Sequence, residues 1–187
     1  MRAIRVLLIF VLLGLAPTPW QPAVRAQAGA LRLGLTVNTQ AIVPGDTLVA
    51  GITVDNPGGG PLADFYFLIL LPDGTTVVSA GPGVGARVGS VGNLRSLVPV
   101  VQGVSLASAF PYQSSSFFSY TFSGIEPLGI YRMFFAAVRA GGLNDGVLGA
   151  GDLLAVASRD VTVTNSPVVV DSARAVTSTV SSAGGSV

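Results

Sequence analysis

Residues 65–71 read FYFLILL, an unbroken apolar run closed by Pro72-Asp73-Gly74. A run this short, stopped by turn residues, reads as a strand: proline presets φ, and Asp and Gly tolerate the tight bend. In a strand, Phe65, Phe67, Ile69 and Leu71 point one way while Tyr66, Leu68 and Leu70 point the other. An edge strand has no use for two apolar faces, whereas a central strand does. The chain is therefore expected to build a sheet around residues 63–74, with 75–79 returning as a hairpin partner.

The flanking segments carry the same signature. Leu31, Leu33, Leu35 and Val37 alternate with Arg32, Gly34 and Thr36, and residues 47–54 alternate again through Leu48, Ala50, Ile52 and Val54. Residues 129–139, GIYRMFFAAVR, are apolar on both faces and read as a second central strand. Residues 117–122 and 152–163 complete the strand list. In the last of these the apolar parity slips between Leu154/Val156 and Val161/Val163, and a β-bulge near Ser158-Arg159 repairs it. Between them, 81–103 is rich in glycine, with one or two short strands expected around 95–101 and 104–107. Residues 109–116, AFPYQSSS, and 140–151 read as loops. No stretch holds a helical period and no internal repeat is visible. With 24 glycines and 12 prolines as punctuation, the expected fold is all-β: an antiparallel β-sandwich of about seven to nine strands spanning residues 29–164.

The two ends differ from this domain. Arg2 and Arg5 precede an apolar stretch at 6–16, too short to cross a bilayer comfortably, and Ala26-Gln27-Ala28 follows the prolines. Residues 1–28 thus read as a secretory signal peptide, with cleavage after Ala28 or Ala26 and no transmembrane segment in the mature form. The chain has no cysteine, so it carries neither a disulfide nor a lipoprotein attachment site. The expected location is secreted, periplasmic or cell-surface. Residues 165–187, rich in Ser, Thr, Val, Ala and Gly, read as a flexible tail or linker. Removing the leader leaves seven arginines against nine acids, a net charge of −2. That is too little basic charge for a nucleic-acid or anionic-membrane partner.

Two places resemble the immunoglobulin-type sandwich. Glu126-Pro127-Leu128-Gly129-Ile130-Tyr131 is similar to the tyrosine corner, in which the tyrosine hydroxyl bonds back to nearby backbone. Met133 stands where antibody domains keep a cysteine, and Tyr66 or Phe67 would fill the space of the missing strand-C tryptophan. Val43-Pro44-Gly45-Asp46, alternation to Val54, and Asp55-Asn56-Pro57-Gly58 resemble the opening of bacterial extracytoplasmic Ig-like modules, including those related to cell adhesion. The resemblance covers residues 31–163. It implies an Ig-like fold in which Gly129 and Tyr131 are structural, and a spacer, adhesion or appended-domain role.

Candidate chemistry is sparse. Without histidine, cysteine or lysine, the usual activators of a serine nucleophile are absent. There is one glutamate, Glu126, and Asp64 and Asp73 flank the central strand about 30 Å apart, beyond a glycosidase pair. No enzyme activity and no cofactor are expected. Asn144, Asp145 and Asp152 offer oxygen ligands for Ca²⁺, but Asn-Asp-Gly is also ordinary turn chemistry, and the bidentate glutamate is missing. Phe110, Tyr112 and Gln113 form the one aromatic-polar group suited to a recognition loop. The expected role is structural or interaction-mediating, with another extracytoplasmic protein or a cell-surface component as partner. The alternative is a small-ligand or glycan-binding module using loops at one end.

Overall fold

The structure is a computed structural model that describes residues 30–83, 85–149 and 151–165. The expected leader at 1–28 and the tail from residue 166 lie outside the described residues. Ten strands are present among them: β1 (Arg32–Val37), β2 (Ala41–Ile42), β3 (Thr47–Asn56), β4 (Leu62–Leu70), β5 (Thr76–Gly81), β6 (Gly85–Ser90), β7 (Val101–Ser105), β8 (Phe110–Thr121), β9 (Gly129–Arg139) and β10 (Leu153–Val163). The one helical element among them is a 3₁₀ turn, Leu94–Ser96.

The strands form two sheets. The smaller has the order β1-β3-β8; the larger runs β2-β10-β9-β4-β5-β6, with β7 on the upstream half of β4, beside β5. Every pairing is antiparallel except that of β2 with β10, which is parallel. The sheets pack face to face. Leu35 of β1 and Leu48, Ala50, Ile52 and Val54 of β3 share one buried cluster with Phe65 and Phe67 of β4, Met133 and Phe135 of β9, and Val161 and Val163 of β10. Phe67 is fully buried at the centre, with the rings of Phe117 and Phe118 against it at 5.5 and 5.3 Å. Burying such a side chain stabilises the fold by about 1.5–3 kcal/mol.

β4 lies in the middle of the larger sheet, and its two apolar faces have separate uses. Phe65, Phe67 and Ile69 face the sandwich core. Tyr66, Leu68 and Leu70 face outward into a second cluster with Val77, Phe134 and Val138. That outer cluster is roofed by connecting segments: Val91, Leu94 and Leu97 between β6 and β7, and Leu143 and Leu148 between β9 and β10. Burial of the Tyr66 ring, with the charge of Asp64 nearby, pushes its hydroxyl up to about 12.

Several details depart from the sequence expectation. The strand count is ten among the described residues, above the expected seven to nine, because β2 is only two residues long and β6, GARVGS, carries a single valine as apolar signal. Residues 95–100 carry the end of the 3₁₀ turn and irregular chain rather than a strand; the strand begins at Val101. Residues 110–116 are not a loop: β8 runs unbroken from Phe110 to Thr121 along β3, from Asn56↔Phe110 to Thr47↔Thr121. Pro111 is tolerated because β8 is an edge strand. The irregularity in β10 lies between Leu153 and Ala155, not at Ser158-Arg159. Leu154 thereby packs on the sandwich core, while Val156 is turned out and exposed.

Candidate functional site

The densest polar arrangement is the connection from β8 to β9. Glu126 accepts the Tyr120 hydroxyl at 2.7 Å, the Ser123 hydroxyl at 2.9 Å, and backbone N–H groups of Ser123 and Gly124 at 3.0 and 2.8 Å. The backbone N–H of Ser123, then the Tyr120 hydroxyl, hold this carboxyl down to about 2, while the bond to Glu126 pushes the Tyr120 hydroxyl up. One turn later the Tyr131 hydroxyl donates to the Pro127 carbonyl at 2.8 Å. The Tyr131 ring is buried and packs edge-on against Phe122, which packs edge-on against Tyr120. Gly129 enters β9 at φ 127°, and a Cβ there would lie 3.0 Å from Pro72. The backbone conformation and the close approach both require glycine. This corner fixes geometry; its polar groups satisfy one another.

Several other acids also bond backbone, while Asp160 pairs with Arg132 at 2.7 Å. Asp73 accepts the Thr76 hydroxyl and the N–H groups of Thr76 and Thr75; these bonds hold its carboxyl down to about 2 and close the β4–β5 turn. Asp46 accepts the Val43 N–H in the β2–β3 turn. Asp64 is 7% exposed and accepts N–H groups of Gly103 at 2.8 Å and Gly141 at 2.9 Å, tying β7 and the β9–β10 connection to the start of β4. In the sequence Asp64 reads only as a flank of the central strand. A lone acid opening an apolar strand was the available signal. Asn56, also buried, donates to the Leu106 and Ser108 carbonyls and accepts the Gly58 N–H.

Asn144, Asp145 and Asp152 all lie in the β9–β10 connection or at its end. Asp145 accepts the Val147 N–H at 2.9 Å, and Asp152 accepts the Gly149 N–H at 2.8 Å. Each carboxylate thus fixes its own turn, and the Asp145 carbonyl accepts Arg95 from the other roofing segment. Among the described residues no group of three or more His, Cys, Asp or Glu side chains could hold a metal ion. Phe110, Tyr112 and Gln113 lie on β8 opposite Asn56, Val54 and Thr53. Phe110 and Tyr112 share the face of their buried partners Asn56 and Val54, whereas alternation turns Gln113 to the opposite face; Phe110 packs on the core and Tyr112 is 49% exposed, so the three do not gather as a recognition loop would.

No family model matches the chain, and no curated protein sequence matches it. Two solved structures are similar over most of it. Spo0M, a sporulation control protein from Bacillus subtilis, is 14% identical with a TM-score of 0.33, covering 72% of this chain and 49% of its own. The chain thus spans about half the length of Spo0M. The CARDB domain of the Pyrococcus furiosus PF1109 protein, solved in complex with di-metal ions, is 16% identical with a TM-score of 0.35, covering 73% of this chain and 94% of its own. At these TM-scores the likeness carries no function to this chain.

Proposed function

We propose that this chain is an exported, non-catalytic sandwich module of immunoglobulin-like type. Its role is structural or interaction-mediating, toward another extracytoplasmic protein or a cell-surface component. The strand order carries the reading. Variable-type immunoglobulin domains place strands A, B, E and D in one sheet and G, F, C, C′ and C″ in the other. In that order β1, β3 and β8 take the first three places, and β10, β9, β4, β5 and β6 those of the second sheet. The bond from Tyr131 to Pro127 at the start of β9 supports it, as a tyrosine corner belongs there. For the absence of catalysis, the support is that Asp46, Asp64, Asp73, Glu126, Asp145 and Asp152 direct their oxygens to backbone N–H groups that shape turns. Export rests on the sequence of residues 1–28.

The test is fractionation of cells producing the full chain, with N-terminal sequencing and crosslinking on intact cells. The expected product is extracytoplasmic, begins at Gly29 or Gln27, and crosslinks to a surface component. A cytoplasmic product beginning at Met1 overturns export. Saturable binding on a glycan array, abolished by Tyr112→Ala, would replace the interaction reading with ligand binding.

A further inference from the structure

The two sheets do not end together. β8 closes the smaller sheet and lies across from β4 and β5, with the Phe117 ring against Phe67 and 3.4 Å from where a Cβ on Gly81 would sit. The larger sheet continues one strand further, to β6. Ala86 and Val88 of β6 pair with Ala80 and Val78 of β5, and both partners belong to the sandwich core. Paired residues share a face of the sheet, so Ala86 and Val88 also face inward. Yet both are exposed, Val88 by 74%. Among the described residues no strand lies beside β8 to cover them.

β7, the strand that precedes β8 in the chain, is held elsewhere. It pairs with β4, the Val100 N–H donates to the Phe65 carbonyl, and Asp64 accepts the Gly103 N–H. β8 meanwhile presents one unpaired edge over its length, and residues 110–121 contain no charged side chain. Charged residues are a usual protection for exposed edges, which otherwise act as templates for another strand.

We propose that this fourth position in the smaller sheet is filled by residues 176–180 of the same chain, VTSTV, running antiparallel to β8. The segment holds four β-branched residues and no charge, glycine or proline, as a strand in this place requires. Its tether is long enough. Val163 pairs with Ile42, and Thr47 pairs with Thr121, so β10 and β8 finish at the same end of the sandwich, joined by the turn at 43–46. β1 packs against β10, so the open position lies three strand spacings and one sheet spacing away, about 17 Å. The ten residues 166–175 span up to about 33 Å. A chain returning from that end runs opposite to β8. In this place Val176, Ser178 and Val180 share one face, which covers Ala86 and Val88.

The absence of native cysteine makes disulfide trapping in the full chain direct. Ser119 is exposed on β8 beside the core-facing Phe118, and Ser119→Cys leaves the core intact. It is combined in turn with a cysteine at each of positions 176–180, and with Ser172→Cys as a tether control. Alternate positions within 176–180 should trap a monomeric disulfide about tenfold more than the control, since only one face of a strand meets Ser119. Equal trapping at every position, or trapping only as a linked dimer, overturns the proposal. Hydrogen exchange needs no cysteine. In the full chain, Thr177→Pro with Thr179→Pro should speed exchange of the 118–121 amides by about tenfold, because local opening sets their protection. Unchanged exchange overturns it.

Discussion

Tyr131 and Glu126 hold the β8–β9 corner by different means, and their substitutions should behave differently. Tyr131→Phe keeps the buried ring but leaves the Pro127 carbonyl without its donor. A lost net hydrogen bond together with a poorly satisfied carbonyl costs about 1–3 kcal/mol. Tyr112→Phe, at a β8 side chain that is 49% exposed, should cost less than about 0.5 kcal/mol. Urea melts that overlay for the two variants would remove Tyr131 from the corner. Glu126 acts through charge. Its folded value of about 2 lies below the ordinary 4.5, so its contribution is fully present above pH 4.5 and is lost as pH falls toward 2. Glu126→Gln should therefore melt below the wild type at pH 6, with the gap narrowing through that window. A gap that stays constant would show that the charge does not matter.

At the scale of elements, β3 and β8 show what the sequence could and could not reveal. Between Ala50↔Phe118 and Ile52↔Ser114 the pairing shifts, giving β8 two residues more than β3. The bulge brings both Phe117 and Phe118 onto Phe67, which strict alternation forbids. A Cβ at Gly51 would lie 3.0 and 3.1 Å from the Ser114 and Ser115 carbonyl oxygens. Gly51→Ala should accordingly destabilise by about 1–3 kcal/mol, as overpacking does, seen as a lower urea midpoint. An unchanged midpoint would mean that the bulge yields freely. The inward residues of β1 and β3 were legible because each strand keeps one apolar parity, whereas β4 and β9 were legible as central strands, apolar on both faces, without showing which face turns to the core. Residues 110–116 were not, because Pro111 and three serines carry turn chemistry locally while the pairing partner lies about sixty residues upstream. The slip in β10 was legible as a slip but not in position, since Val156 looks like a core residue until its exposure is known. At the candidate site, the Tyr131 corner was readable through its resemblance to the tyrosine corner of immunoglobulin-type domains, whose residues are close in the chain. Asp64 was not, because Gly103 and Gly141, which it joins, are distant in the chain.

For the molecule as a whole, stability comes from two apolar layers, one between the sheets and one under the roofing segments. Calcium should add little, because Asp145 and Asp152 are already bonded within their own turns. A native-state ligand at a hundred times its Kd adds about 2.7 kcal/mol, and for a chain of this size each kcal/mol moves Tm by about 2–4 °C. A rise of that order in millimolar Ca²⁺ over chelator would reveal a site. The lone parallel pairing has a mechanical meaning. β2 follows β1, and β10 is the last described strand; the Thr162 and Thr164 N–H groups donate to the Gln40 and Ile42 carbonyls across them. Tension applied through the two ends draws β2 and β10 in opposite directions along their shared axis. Those bonds then bear load together in shear instead of opening one after another, and the junction acts as a brake on extension when the module is pulled.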